Sequence, residues 1–379
     1  MKPLPNDDDR DIFHRLRLIR SANVGPVTYV QLIKRFGSAE SALEALPDLA
    51  ARGGGKRAPR IADQKAVERE IAATEKLGAS FLFLGEPGYP YLLSQLNSAP
   101  PALIWQGNLP LFEKPIVAIV GARNASAAAC RFACDLANGL SNAGVSIVSG
   151  LARGIDTAAH QGSVGKGTIG VIAGGVDVYF PPENEELQKR VSREGLIVSE
   201  QPTGTEPRAR HFPSRNRIIA GLARGTVIVE AAPRSGSLIT ARLAGEAGRQ
   251  VMAVPGSPLD PRAQGCNNLI REGATLVQSA EDVLELIRHF DDRAEMTGRN
   301  YIMFEKTASD SNVRENISQE IKNIERHQLT ELLSLTPVSI DELVRQSDLS
   351  PANVQLGLLE LELAGRLTRH AGARVCLTS

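Results

Sequence analysis

The sequence predicts an α/β protein: a doubly wound, mostly parallel sheet, flanked by an N-terminal helical domain and a C-terminal winged helix. Three observations predict it. First, short β-branched runs end in glycine-rich turns at Val117-Ala-Ile-Val-Gly-Ala-Arg-Asn-Ala-Ser126, Val145-Ser-Ile-Val-Ser-Gly-Leu-Ala-Arg-Gly-Ile-Asp156, Val171-Ile-Ala-Gly-Gly-Val-Asp177 and Val227-Ile-Val-Glu-Ala-Ala-Pro-Arg-Ser-Gly-Ser237. Second, the runs are apolar at nearly every position, as strands covered on both faces must be. Third, the chain on either side of this region has helical periodicity.

A length of 379 residues exceeds one typical domain of about 100 to 200 residues. Boundaries are expected at 1–80 for the helical domain, 81–290 for the sheet core, 291–320 for a polar linker and 321–379 for the winged helix. Residues 11 to about 78 carry apolar positions at helical spacing, as in Ile12, Leu16, Ile19 and Val30, Ile33, Phe36, broken at Asn23-Val-Gly-Pro26 and Gly37. The Gly25-Pro26 turn between two amphipathic helices is helix-hairpin-helix-like (or SAM-like), a grip on phosphate through backbone amides, although structural packing is the preferred reading of a single such turn. Ala51-Arg-Gly-Gly-Gly-Lys-Arg-Ala-Pro-Arg60 reads as a flexible basic connector.

From Phe81 to Leu111 prolines and aromatics crowd together (Pro87, Tyr89, Pro90, Tyr91, Pro100, Pro101, Trp105), predicting an extended lead-in packed on the next domain. Strands are expected at 116–120, 145–149, 168–173, 196–200, 225–230, 250–254 and 274–278, with helices between most of them. After Phe290 the polar stretches Asp291-Asp-Arg-Ala-Glu and Ser309-Asp-Ser-Asn have a linker's composition. Three helices then begin at Leu329, Ser339 and Ser350. Ser339 stands three residues before Glu342, a capping box, and Ser350 precedes Pro351 at a first helical position. Leu367 to Leu377 reads as two short strands around a Gly turn, which completes the winged helix.

Lysine plus arginine and aspartate plus glutamate each total 43, so a nucleic-acid reading rests on local clustering rather than on net charge. One cluster exists: Glu206 to Arg217 holds four arginines and one carboxylate. Cys130, Cys134, Cys266 and Cys376 have neither the number nor the spacing for a disulfide framework or a zinc site, and no metal or other cofactor is expected. The acidic start lacks an apolar segment, and no run of about eighteen apolar residues occurs. A soluble, cytoplasmic protein with no membrane partner is the expectation.

Enzymatic motifs are missing where they would be needed. Gly162-Ser-Val-Gly-Lys-Gly-Thr168 fails the P-loop spacing, puts Gly167 where a hydroxyl should bind magnesium, and precedes a strand instead of following one. Neither a dinucleotide fingerprint nor a nucleophile elbow is present. His160, four residues after Asp156, reads as part of a helix start tied down by Asp156 and Thr157 rather than as an acid–base catalyst. Glu200 and Glu230 fall at strand ends, where carboxylates catalyse, anchor loop amides or position arginines.

The arginines are more informative. Arg123 follows a strand-end glycine by two residues, Arg153 sits inside Gly150-Leu-Ala-Arg-Gly154, and Arg215 and Arg217 are expected to precede a helix beginning near Ile218. In a parallel sheet all these loops share one edge. A guanidinium binds a phosphodiester through two parallel hydrogen bonds, and glycine turns at helix starts offer free amides, so the set suits a chain of phosphates. Salt bridges to Glu200, Glu230 or Asp156 are the structural alternative. Aromatics form only 4% of the chain, which rules out a continuous stacking platform and leaves Phe212 as the residue placed to stack a base.

These strings resemble the DNA-processing protein A (DprA, also called Smf) family of bacteria. The likeness runs through Gly121-x-Arg123-x-x-Ser126, Ser149 to Asp156 with Ala159-His160, Gly174-Gly-x-Asp177 with Tyr179 and Pro181, and Glu200 with Pro202 and Gly204. It continues in Phe212-Pro-x-Arg-Asn-Arg-Ile-Ile-Ala-Gly-Leu222, Val229-Glu-Ala, Ser235-Gly-Ser-Leu-x-Thr-Ala241, Pro255-Gly256 and Gly265-x-Asn-x-Leu-Ile270, covering about 81 to 288. The resemblance implies an extended Rossmann-like core that binds single-stranded DNA without catalytic turnover, a homodimer, and loading of RecA onto incoming strands during natural transformation. By motif it implies a pocket lined by Gly121, Arg123, Ser126, Ser149, Gly150, Arg153, Arg215, Asn216 and Arg217.

For the winged helix, the third helix carries Glu360 and Glu362 and no basic residue between Ser350 and Gly365, which disfavours reading of a major groove. A protein-interaction or structural module is the preferred role, with Arg366, Arg369, His370 and Arg374 left as backbone contacts. Two rival functions are a nucleotide-binding or nucleoside monophosphate-processing enzyme of the lysine-decarboxylase-like Rossmann group and a duplex-specific regulator. The first group's Pro-Gly-Gly-x-Gly-Thr is replaced here by Ala232-Pro-Arg-Ser-Gly-Ser237.

Overall fold

The computed structural model describes residues 7–55, 59–296, 323–370 and 372–378. They form two compact units, one combining the residues up to Ile71 with those from Asn323 onward, the other running from Ala72.

The first unit begins with α1 (Asp7–Ile19), α2 (Pro26–Phe36) and α3 (Ala39–Arg52), and the chain leaves it within α4 (Gln64–Lys76). Pro26 opens α2 at a position where no amide hydrogen is needed, and Gly37 closes it at φ +75°, its amide bonded to the Ile33 carbonyl. Ser38 then caps α3 through the amide of Ser41.

The second unit holds a nine-stranded sheet in the order β1-β2-β6-β5-β4-β3-β7-β8-β9. The segment read as an extended lead-in joins this sheet. Its strands β1 (Ser80–Phe83) and β2 (Ala102–Gly107), separated by the one-turn helix α5 (Tyr91–Ser94), pair antiparallel, and β2 extends the sheet against β6 (Leu196–Ser199). Pro87, Pro90, Pro100 and Pro101 fall between the strands and Pro110 beyond them, where no ladder donor is lost.

The parallel part is β3 (Ile116–Gly121), α6 (Ala127–Asn142), β4 (Ser146–Ser149), α7 (Ile155–Ser163), β5 (Thr168–Val171), α8 (Glu185–Glu194), β6, α9 (His211–Leu222), β7 (Gly225–Val229), α10 (Gly236–Glu246), β8 (Gln250–Ala253), α11 (Gln264–Arg271) and β9 (Thr275–Leu276). From β3 to β6 the chain winds one way across the sheet; from β7 to β9 it winds the other. Apolar side chains of α6, α7 and α12 (Ala280–Met296) bury Val117, Ile119, Ile147 and Val227 on one face. α9 and α10 pack together and against β3, with α9 also reaching β4 and β5 and α10 lying on β7 and β8. This is the Rossmann-like, doubly wound arrangement the apolar runs predict. α12 continues past Phe290 into the expected linker, the rest of which lies outside the described residues.

The chain returns to the first unit with α13 (Asn323–Glu331), β10 (Val338–Ser339), α14 (Ile340–Ser347), α15 (Pro351–Leu363), β11 (Leu367–His370) and β12 (Arg374–Leu377), a winged helix with a three-stranded sheet. Ser339 and Ser350 cap α14 and α15 through the amides of Glu342 and Asn353, as the sequence predicts. α15 is apolar on two opposite stripes. Val354, Leu358 and Leu361 face the winged-helix core, while Leu356, Leu359 and Leu363 pack with Leu18, Tyr29, Leu32 and Leu46 of the N-terminal helices. A helix apolar all round is a buried one. The contact is close: Asn23 Nδ2 donates to the Leu363 carbonyl at 3.2 Å and Arg366 Nη1 to the Gly53 carbonyl at 3.1 Å. Within it Glu360, fully buried, is paired with Arg326 at 2.8 Å. The helix that a winged helix would present to a groove is therefore covered, whereas in the Asn23-to-Gly25 turn Asn23 stays exposed and the space beside Gly25 is open.

Candidate nucleic-acid interface

β3 and β7 are neighbours, with Gly121 beside Val229, and the winding reverses between them. In open parallel sheets the crevice outside the strand ends at such a reversal is where ligands bind. Gly121 is forced by packing, because a Cβ there would stand 1.9 Å from the Val229 carbonyl oxygen. The loop that follows ends at Ser126, whose hydroxyl caps α6 by accepting from the Ala129 amide. That hydroxyl also donates to Glu230 Oε1 at 2.6 Å, and the Ser126 amide donates to Oε2 at 2.8 Å. Arg123 projects from this loop, exposed, with its guanidinium carbon 5.4 Å from the Phe212 ring centre.

The turn after β4 is organised by Asp156, which accepts from the amides of Gly150 at 3.1 Å and Ala152 at 3.4 Å. Ser149 is fully buried and its hydroxyl donates to the Ile119 carbonyl. Its place is inside the sheet, behind the edge. Arg153 stands out in solvent, paired with Glu183 at 2.9 Å. His160 lies deep under this turn, its Nδ1 2.8 Å from the Thr168 hydroxyl. Burial, reinforced by the charge of Arg215, holds its pKa down to about 3, so the ring is neutral and structural, as the sequence suggests.

Arg215 and Arg217 belong to a helix that begins at His211, four residues before Arg215, rather than near Ile218. Pro213 does not delay the start, because the first helical turn has no use for a proline amide hydrogen. Arg215 is carried inward and is only 6% exposed. Its guanidinium occupies the space over Gly150, where a Cβ would fall 1.2 Å from Nη1. The nearest carboxylate, Asp156, is 4.0 Å away, and Nε has no hydrogen-bond partner. Burial pushes the Asp156 carboxyl up, against the pull of Arg215 and the two amides, and the same burial lowers Arg215 itself. An arginine nonetheless keeps its charge, and this one is under-compensated.

Arg215 forms the floor of a narrow crevice of about 10 Å³ lined with Gly150, Gly174, Val178, Phe180, Pro207 and Phe212. Phe180 and Phe212 meet at 5.7 Å between ring centres, tilted by 55°. Sequence reasoning singled out Phe212 but not Phe180, which is 45% exposed; the only signal was its place between Tyr179 and Pro181 in a loop following a glycine-rich strand end. Arg123, Phe212, Arg215 and Gly150 are thus brought to one spot. Arg217 is not: it ion-pairs with Glu200 and donates to the Ser98 carbonyl, which realises the structural alternative for this arginine. Asn216 reaches only as far as the Gly236 carbonyl, at 3.5 Å. Among the described residues no cluster of potential metal ligands occurs, and no helix is long and apolar enough to cross a membrane.

Sheet order and strand-end turns define a Rossmann-like α/β protein with an arginine-floored crevice outside the carboxyl ends of β4 and β5, next to the switch point. Residues 80–288 match the family described as DNA recombination-mediator protein A, residues 9–73 the DprA-like N-terminal HHH domain and residues 317–373 the DprA winged helix domain. The chain belongs to this DprA/Smf family. It is 33% identical over 378 residues to Protein Smf of Synechocystis, covering 93% of this chain and 95% of that one. To the DNA processing protein DprA of Streptococcus pneumoniae it is 50% identical over 198 residues, 52% of this chain and 70% of the relative. The X-ray structure of DprA from that organism superimposes with a TM-score of 0.62 at 37% identity, over 72% of this chain and 95% of that one. A structure of DNA processing protein A from Helicobacter pylori, described as giving insight into a single-stranded DNA binding mode, matches at TM-score 0.51 and 28% identity, over 56% of this chain and 96% of that one.

Proposed function

We propose that this protein binds single-stranded DNA across the carboxyl edge of its sheet, and that it protects incoming strands and loads RecA onto them during natural transformation. It does so in the cytoplasm as a homodimer, without catalytic turnover or a cofactor. The observation that carries the reading is Arg215: a buried guanidinium with an unpartnered Nε and a carboxylate no nearer than 4.0 Å, opening into a pocket walled by two aromatic rings. A phosphate oxygen completes its hydrogen bonds, Arg123 and Arg153 supply further charge at the edge, and Phe212 with Phe180 offers a ring face to an unpaired base. Freedom from turnover is supported by the two strand-end carboxylates that nucleoside monophosphate hydrolysis would need. Glu200 is tied to Arg217 and Glu230 to Ser126.

The test is fluorescence anisotropy of a labelled oligothymidine over a salt series, with duplex DNA and a mononucleotide as competitors. Wild-type binding is expected to resist both competitors, and Arg123→Ala to lower the salt slope by about one. Equal binding by wild type and Arg123→Ala, or effective competition by the mononucleotide, refutes the phosphate-track reading. Release of free base from the mononucleotide establishes the enzymatic rival. The RecA step is measured as RecA filament growth on strands coated with single-strand-binding protein, which the full chain is expected to accelerate.

A further inference from the structure

Glu230 presents a puzzle of charge. It places a carboxylate at the switch point, beside Gly121 and the loop of Arg123, where a polyanion is proposed to lie. Coulomb repulsion alone would make it a liability there. Its backbone is also in the left-handed region, at φ +49°, a conformation that costs a non-glycine residue about 1 kcal/mol or more and persists only where surroundings enforce it. Both features have one explanation in what its oxygens touch. Oε1 and Oε2 are each held by Ser126, through the hydroxyl at 2.6 Å and the amide at 2.8 Å. The far end of the same loop is pinned by the Ile155 amide donating to the Ala122 carbonyl at 3.2 Å. The chain just beyond Glu230 is pinned in turn by the Gly265 amide on the Ala231 carbonyl at 2.7 Å. Arg123, Asn124 and Ala125 are the span between the two anchors.

We propose that Glu230 is a positioning residue: it touches no DNA, and it fixes through Ser126 the loop that holds the Arg123 guanidinium over Phe212. Ser126 then belongs to this clamp rather than to the DNA contacts that the family resemblance implies. The inference rests on the DNA-binding reading of the site. It also makes a prediction opposite in sign to simple electrostatics: truncating this acidic side chain at the edge, in Glu230→Ala, weakens binding to DNA instead of tightening it.

The full chain and its variants Glu230→Ala, Glu230→Gln, Ser126→Ala, Arg123→Ala and the Glu230→Ala/Arg123→Ala pair are titrated with labelled oligothymidine at several salt concentrations. Glu230→Ala is expected to bind about tenfold more weakly, with the salt slope lowered by about one, as if Arg123 were lost. Glu230→Gln keeps an acceptor for Ser126 and is expected to recover most of the affinity. In the double variant, Arg123→Ala adds less than about twofold, because the two residues act as one. Unchanged or tighter binding by Glu230→Ala, or effects that multiply in the double variant, overturns the positioning role. Should Glu230→Ala fail to fold, Ser126→Ala and Glu230→Gln decide: the first weakened with a shallower slope and the second near wild type supports the clamp, and the reverse refutes it. Failure of the DNA reading shows separately, as a wild type that does not bind oligothymidine or an Arg123→Ala that binds as well as wild type.

Discussion

Replacing Gly150 by alanine puts a methyl group into the space now filled by the Arg215 guanidinium. A Cβ on Gly150 lies 1.2 Å from Nη1, 2.3 Å from Cζ and 2.8 Å from Nη2, so the guanidinium must retreat by about 2 Å to reach ordinary contact distance. Gly150 is not among the positive-φ residues, so the backbone accepts alanine and the effect falls on Arg215. Its separation from Asp156 is 4.0 Å. At an effective dielectric of about 20 the attraction there is about 4 kcal/mol, falling to about 3 kcal/mol at roughly 6 Å. The difference, a little over 1 kcal/mol, is the expected loss of stability in urea unfolding, and a comparable loss of affinity, about tenfold, follows if Arg215 is what a phosphate meets on the pocket floor. Arg215→Ala supplies the control, since it vacates the space the methyl needs. In that background Gly150→Ala should change neither stability nor DNA binding by more than about 0.5 kcal/mol. Wild-type DNA affinity in Gly150→Ala, or additive losses in the double variant, would refute the claim that this glycine exists to seat Arg215.

Two further outcomes follow from features away from the pocket. His160 has a folded-state pKa of about 3 against about 6.5 when unfolded; between these values only the unfolded chain takes up the proton, so stability falls as pH falls. The contribution at pH 5 is a loss of about 2 kcal/mol relative to neutral pH, to be read from urea midpoints, and His160→Gln should flatten that dependence. Gly53→Ala drives a Cβ to within 2.0 Å of the Glu360 carbonyl oxygen, a backbone atom that has no rotamer to escape by. Calorimetry should show the unit holding the N-terminal helices and winged helix destabilised by about 1–3 kcal/mol, with the sheet unit unmoved.

The sheet was legible because its strands are short, apolar on both faces and ended by glycine, and the capping serines Ser339 and Ser350 marked helix starts to the residue. The strands of 80–107 were hidden by their prolines and aromatics, which are the marks of turns; what makes them strands is the free edge of β6. The start of α9 lies seven residues ahead of the expected Ile218, with Pro213 inside its first turn, where a proline breaks nothing. Arg215 and Arg217, two positions apart in one string, were indistinguishable by sequence. Helix geometry sends one inward over Gly150 and the other to Glu200. The pairing of Glu230 with Ser126 spans 104 residues, and no local pattern records it.

α15 also has a consequence for the order of events on the ribosome. The turn at Asn23 bonds to a carbonyl 340 residues later, and Leu18, Tyr29 and Leu32 wait for Leu356, Leu359 and Leu363 to cover them. At a synthesis rate of about 5–20 residues per second, the first helices emerge roughly 20–70 s before the stripe that buries their apolar side. The sheet, made in between, has all its strands long before then. A nascent chain therefore carries these helices with their apolar side uncovered until α15 has been made, and a chaperone that binds early helices has more to hold here than one that attends to the sheet.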